Sequence, residues 1–277
     1  MDCAQALLNR GHRTRDGHGK GSDMRHTAVR WLFALGALVA AGALVFGQVG
    51  AAGASSSRAA AAARASAPAY VPPGQILSLG MHGPAVRRLQ VRLDALKYYP
   101  GPIDGQFGLD TLEAVWAFKE TQGLIINSAN QDQVSRAAER ALEHPRAPKV
   151  LVRHGGSTRI EVNMGDEVLV LYKDNKPDLI SHVSTGAGCL PGQGCGWDTP
   201  TGNYHALSYI PGWVTVPLGE MYNPVFFIGT LYAIHGEWDA SVPWYPDSHG
   251  CVRIPYDTAT FFHKLFPVPG TPIYIRN

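Results

Sequence analysis

Apolar positions change their rhythm along the chain. Val86, Leu89, Leu93 and Leu96 recur at three- and four-residue spacing, which marks one face of a helix. A turn-rich stretch, PGPIDGQFG, follows. A second helical pattern then begins, with Thr111 expected as its cap and Leu112, Val115, Trp116 and Phe118 on its apolar side. A short helix is predicted over 134–142, ended by Pro145 and Pro148. Beyond 149 the texture is that of strands. Runs rich in β-branched and aromatic residues stand at 151–152, 160–162, 168–172, 180–183, 213–216, 225–228 and 232–234. Gly, Pro, Asn and Asp separate them, and the next helical pattern is 256–265.

This pattern divides the chain. Residues 74–124 read as a small helical domain, 125–148 as a connector, and 149–277 as a mainly β domain of sandwich or barrel-like form, so the fold class is α+β and multidomain. Residues 31–49, WLFALGALVAAGALVFGQV, carry no charge and would reach about 28 Å as a helix, enough to cross a bilayer core. Arg25 and Arg30 precede this run and small residues Ala52 and Ala54 follow it. Residues 31–54 therefore read either as a cleaved signal peptide or as a membrane anchor, and 1–30 as a cytoplasmic tail or a mis-assigned start. Residues 55–73, rich in Ala, Ser and Pro, read as a linker. In both readings the remainder lies outside the cytoplasm, with the cytoplasmic membrane a partner of the N-terminal segment.

Composition narrows the function only by exclusion. Among 277 residues the net charge is +2 and no basic stripe stands out, so no nucleic-acid partner is expected. The four cysteines are more informative. Cys3 lies before the apolar run, while Cys189 and Cys195 bracket CLPGQGC and can pair in an oxidising compartment. That leaves Cys251 without a partner, in an exported chain where a free thiol invites a functional role.

The stretch YAIHGEWDASVPWYPDSHGCVRIP gathers His235, His249, Cys251 and Arg253. Nucleophilic catalysis by cysteine needs a thiol, a histidine to take its proton, and backbone N–H groups aimed at the developing oxyanion. Cys251 is the expected nucleophile and His235, at a strand end, the expected base. The amides of Gly250 and Cys251 can point at one oxygen. The aromatics Trp213, Tyr222, Tyr232, Trp238, Trp244 and Tyr245 crowd the same region and can line a groove or simply pack.

Two resemblances follow from these residues. Gly80, Gly83, Val86, Leu89, Gln90, Leu93, Asp104-Gly105, Phe107-Gly108, Thr111, Val115, Phe118 and Gly123-Leu124 resemble the three-helix peptidoglycan-binding domain. Most are core or turn positions, with Gly108 expected at positive φ. His235-Gly236, then Ser248-His249-Gly250-Cys251-Val252-Arg253, with Ser184-Thr185-Gly186 and Thr199-Pro200-Thr201-Gly202 upstream, resemble the L,D-transpeptidases of the YkuD type. The resemblance implies that Cys251 attacks the carbonyl preceding the terminal D-Ala of a peptidoglycan stem tetrapeptide, and that an amine of a second stem resolves the acyl-enzyme as a 3→3 cross-link. It also implies sensitivity of Cys251 to carbapenems. His235 would be the base, oriented by a backbone carbonyl. His249 would support the loop and oxyanion pocket, with Gly250, Ser248 and Gly236 on the substrate and oxyanion side. Arg253 would either hold a substrate carboxylate or brace the loop.

Rival readings are a zinc enzyme, a serine penicillin-binding enzyme, a non-catalytic wall-binding protein and a carboxypeptidase or endopeptidase on the same scaffold. No HExxH, paired CxxC or S-x-x-K motif occurs. No cofactor or metal is expected, and a monomer is.

Overall fold

A computed structural model describes residues 70, 72–237 and 242–277. The apolar run 31–49, Cys3 and Trp238 lie outside the described residues. Among those described, no helix is long and apolar enough to cross a membrane.

Among the described residues three helices come first: α1 (Pro84–Ala95), α2 (Leu109–Thr121) and α3 (Arg136–Glu143). Pro84 opens α1, where a missing N–H costs nothing. Val86, Leu89 and Leu93 of α1 meet Leu112, Val115 and Phe118 of α2 in one core. That core also takes Val134, Ala138 and Leu142, so the segment 125–148 supplies the third helix. The Ser135 hydroxyl caps α3 by accepting the Ala138 N–H.

Two expectations fail here. Gly108, not Thr111, is the N-cap of α2, and Gly108 has φ −86°, in the extended region. Thr111 is buried inside the helix, where its hydroxyl donates to the Pro100 carbonyl and accepts from Gln90. Gln90 is the hub of this corner. Its amide oxygen accepts the Gly105 N–H, and its NH2 donates to the Gln106 carbonyl.

The β domain is two sheets face to face. One has the order β3-β2-β1-β12-β6, built from β1 (Arg159–Asn163), β2 (Val168–Lys173), β3 (Lys176–His182), β6 (Gly202–His205) and β12 (Pro272–Arg276). The other has the order β11-β10-β9-β7, from β7 (Ser208–Tyr209), β9 (Gly219–Ile228), β10 (Tyr232–Gly236) and β11 (Val252–Ile254), with β8 (Trp213–Val216) also on β9. A separate hairpin joins β4 (Gly188–Leu190) to β5 (Gly194–Trp197). Ile160, Leu169, Leu171, Ile273 and Ile275 face Val225, Phe227, Ile234, Val252 and Ile254, with Ala259 and Phe262 of α4 (Tyr256–Phe262) closing the layer.

The run VLVLY in β2 shows no polar alternation because both of its faces are covered. Leu169 and Leu171 enter the sandwich, whereas Val168, Val170 and Tyr172 pack into the helical core. The helical domain is thereby seated on the outer face of the first sheet.

Two element boundaries differ from expectation. Leu151 and Val152 form no strand, because their N–H groups donate to the buried Glu161 carboxylate at 2.6 and 3.4 Å, an acceptor that replaces a sheet partner. The last helix ends at Phe262 instead of 265, where the Lys264 and Leu265 N–H groups bond back only three residues and tighten the turn.

Candidate active site

Strands β10 and β11 run parallel, with Ile234 opposite Val252 and His235 opposite Arg253. Side chains alternate, so Ile234, Val252 and Ile254 fill the sandwich while the opposite face carries the chemistry. Cys251 lies on that opposite side, half-buried against Ala233, Met221 and Phe226. Cys251 and His235 thus share a face, offset by two residues, or about 6.6 Å along the strand direction.

His235 is buried and bonds Nδ1 to the Gly236 carbonyl at 2.8 Å. A carbonyl only accepts, so Nδ1 carries the proton and Nε2 keeps its lone pair. Burial, aided by the Arg253 charge, pushes His235 down to about 4 against the pull of that carbonyl. Burial likewise pushes the Cys251 thiol up, with the Ala233 N–H and the Arg253 charge opposing it. Both groups are therefore neutral at neutral pH. Gly236 is fixed by packing, since a Cβ there would lie 2.7 Å from the Ala259 Cβ.

The loop before Cys251 is built from backbone and hydroxyl hydrogen bonds. The Ser248 hydroxyl donates to the Cys251 carbonyl and accepts the Gly250 N–H. This corrects the expectation for Gly250: its amide is engaged by Ser248 and is not free for an oxyanion, leaving the Cys251 amide as the donor from this turn. Ser248 is fully buried, and both of these hydrogen bonds lie within the loop. Gly250 has φ +113°, and a Cβ there would meet the Tyr232 ring at 2.6 Å, so glycine is required twice over.

His249 turns to the β4–β5 hairpin. Its Nε2 bonds the Gln193 side-chain oxygen at 2.7 Å, and its ring meets Trp197 edge-on at 4.8 Å. The hairpin is closed by the Cys189–Cys195 disulfide. Arg253 is engaged on two sides, with Nε 3.0 Å from Glu237 and Nη1 donating to the Asp247 carbonyl. Both contacts are to the chain around the loop, those a brace would make.

The upstream motif supports the same loop. Ser184 exchanges both backbone hydrogen bonds with Arg253, and the Thr185 carbonyl accepts the Asp247 and Ser248 N–H groups. The Thr199 hydroxyl accepts the Gly186 N–H and lies 3.5 Å from the Cys251 carbonyl. Sequence reasoning flagged these residues without giving them a task. It missed Glu167, whose buried carboxylate accepts both the hydroxyl and the N–H of Thr185. Glu167 sits in a turn outside every motif, and nothing local marks it.

The aromatics divide. Tyr232 packs under Gly250, Trp213 pairs with Tyr222, and Trp244 packs on the helical core. Tyr245 is 48% exposed and meets Trp244 edge-on. Among the described residues, no three His, Cys, Asp or Glu side chains converge as metal ligands.

Comparisons with known proteins agree with this architecture. Residues 157–275 match the family described as YkuD, the L,D-transpeptidase catalytic domain, and residues 82–127 match the putative peptidoglycan binding domain. The crystal structure of an L,D-transpeptidase from Xylanimonas cellulosilytica superposes with TM-score 0.64 at 29% identity, covering 74% of this chain and 100% of that one. An L,D-transpeptidase from Stackebrandtia nassauensis gives TM-score 0.43 at 17% identity, covering 75% and 97%. Comparison with curated proteins returns no match.

Proposed function

We propose, from a chain that carries a YkuD L,D-transpeptidase catalytic domain preceded by a peptidoglycan-binding domain, that Cys251 cuts and rejoins stem peptides through a thioester. The observation that carries this reading is the shared face of Cys251 and a neutral His235 whose Nε2 is unprotonated.

In this scheme the donor is a stem tetrapeptide. His235 Nε2 takes the Cys251 thiol proton as sulfur attacks the carbonyl between the third residue and D-Ala. The oxyanion forms beside the Cys251 N–H, a donor held by the Ser248 turn. His235 then gives its proton to the departing D-Ala amine, leaving an acyl-enzyme. The side-chain amine of a second stem attacks the thioester, His235 takes up a proton, and sulfur leaves as the thiol. The product is a 3→3 cross-link. No cofactor enters these steps. His235 is the base, while Ser248, His249, Gly250 and Arg253 hold the nucleophile's loop. The Cys189–Cys195 disulfide and a wall substrate both fit work outside the cytoplasm, with residues 31–54 as signal or anchor.

The test is full-length protein with a disaccharide-tetrapeptide, read by mass spectrometry against Cys251→Ser. Loss of D-Ala with appearance of a dimer, both absent in the variant, is the expected result. Loss of D-Ala without dimer would make the enzyme a carboxypeptidase. Turnover that persists in Cys251→Ser would overturn the nucleophile.

A further inference from the structure

The five residues before Asp247 enter the active-site loop under the hold of two different domains. Val242 donates its N–H to Glu113 Oε1 of α2 at 2.8 Å. The Pro243 carbonyl lies 2.9 Å from His182 Nε2. The Trp244 indole N–H donates to Gln131, in the loop after α2, at 2.7 Å, and its ring packs on the helical core. From Tyr245 onward the catalytic domain takes over, with the Tyr245 carbonyl accepting the Ser184 hydroxyl and Asp247 and Ser248 bonded to Thr185. Cys251 follows Ser248 by three residues.

The middle contact comes from β3 of the catalytic domain and is oriented by the helical domain. His182 Nε2 faces a carbonyl and so carries a proton, while Nδ1 lies 2.9 and 3.0 Å from the two oxygens of Glu120 on α2. Burial alone would lower His182, but the Glu120 carboxylate outweighs it and lifts the ring to about 9. The Trp116 ring meets the imidazole edge-on at 5.4 Å. The imidazole thus ties Glu120 of α2 to the Pro243 carbonyl. Three consecutive residues, Val242, Pro243 and Trp244, each hold a side chain that the helical domain supplies or orients.

We infer that the helical domain is a structural part of the active site: Glu113 and Gln131, together with Glu120 acting through His182, are positioning residues for the loop that carries Cys251. The inference rests on the reading of Cys251 as the nucleophile and deepens it. It separates this role from wall binding, because it requires the helical domain even when the substrate is too small to need a wall anchor. Burial pushes Glu113 up to about 8, so at neutral pH it is the uncharged acid, and glutamine reproduces both its shape and its acceptor oxygen.

The experiment compares full-length wild type with Glu113→Ala, Glu113→Gln and Gln131→Leu on a soluble disaccharide-tetrapeptide. A lost positioning hydrogen bond is expected to lower kcat about tenfold in Glu113→Ala and Gln131→Leu. KM should hold within about twofold, and Glu113→Gln should restore wild-type turnover, as expected of uniform ground-state binding with a misplaced nucleophile. Alkylation of Cys251 by iodoacetamide across pH gives a second readout that does not depend on the natural reaction. Because burial raises the thiol, loosening the loop should move the alkylation midpoint down toward that of an exposed cysteine. Unchanged kcat and coincident midpoints in folded Glu113→Ala and Gln131→Leu would overturn the inference, as would Glu113→Gln failing like Glu113→Ala. If wild type turns over no stem peptide, the transpeptidase reading falls, and the alkylation midpoints alone decide the positioning role.

Discussion

Ser248 and Cys251 are joined by a hydrogen bond of 2.6 Å from the serine hydroxyl to the cysteine carbonyl, and the same hydroxyl accepts the Gly250 N–H at 3.0 Å. One buried side chain therefore ties the His249–Gly250 peptide to the Cys251–Val252 peptide. Removing it leaves the buried Gly250 N–H without its acceptor, worth about 1–3 kcal/mol, and leaves the Cys251 carbonyl only the longer Thr199 contact at 3.5 Å. Ser248→Ala is expected to lower kcat by roughly 10- to 100-fold with a smaller effect on KM. Ser248→Thr, which keeps the hydroxyl, should retain most of the activity. Steady-state kinetics on a soluble stem peptide checks both, and a KM effect larger than the kcat effect would return Ser248 to the substrate side.

His235 sets the acid limit of activity. Its folded-state value, about 4, lies below the ordinary 6.5, because the charged ring is disfavoured by burial first and by Arg253 second. Neutral His235, the form the proposed mechanism needs, therefore persists as pH falls through 6.5 and is lost only near 4. The kcat/KM profile for a neutral acyl donor is expected to be level across 6.5, and ultraviolet absorbance should show no thiolate in the resting enzyme at neutral pH. A limb at 6.5, or a thiolate band, would indicate a preformed ion pair instead.

How much of this was legible beforehand depended on the range of each interaction. The periodic apolar positions of α1 and α2 report local burial, and they were readable. Cys251 and His235 stand out by residue type alone, and the fold sets them on one face of the β10–β11 pair. The Gly250 amide was misread because its partner, the Ser248 hydroxyl, looks like a substrate contact until the turn is closed. Leu151-Val152 looked like a strand because β-branched and apolar residues say nothing of a carboxylate ten residues on. The roles of Glu113, Glu120 and Glu167 were invisible. None of them stands in a motif, and its partner lies 129, 62 or 18 positions away.

The β4–β5 hairpin is expected to matter through His249. The disulfide closes a loop so short that its chain-entropy contribution is only about 2 kcal/mol. Its larger effect is to hold Gln193 at the His249 ring. Cys189→Ser with Cys195→Ser should reduce turnover severalfold, and Gln193→Leu should do so with little change in thermal stability. A gentle reductant should impose the same loss on wild type and none on the double variant. Full activity of Gln193→Leu would reduce the hairpin to a surface ornament of the loop.

Alkaline pH should loosen the seam between α2 and the first sheet. His182 is raised from 6.5 to about 9, so its contribution to folding is complete below 6.5 and is lost as pH climbs through 9. Glu113, raised by burial to about 8, acts with the same sign, since a buried acid that prefers to stay neutral disfavours the folded state once it must ionise. Burial raises Glu167 and Glu120 to about 7, with the same sign, and lowers Lys119, next to Glu120 in the chain, to about 8. Lys119 opposes the others, because a buried amine that deprotonates early favours folding as pH rises. His182 is the group that bridges Glu120 and the Pro243 carbonyl, so its substitution isolates the seam's own share. The thermal midpoint is expected to fall between pH 6.5 and 9 in wild type and to fall less steeply in His182→Gln, which keeps a donor for Pro243 but cannot titrate. Parallel slopes in the two proteins would show that the seam's charge state does not govern stability.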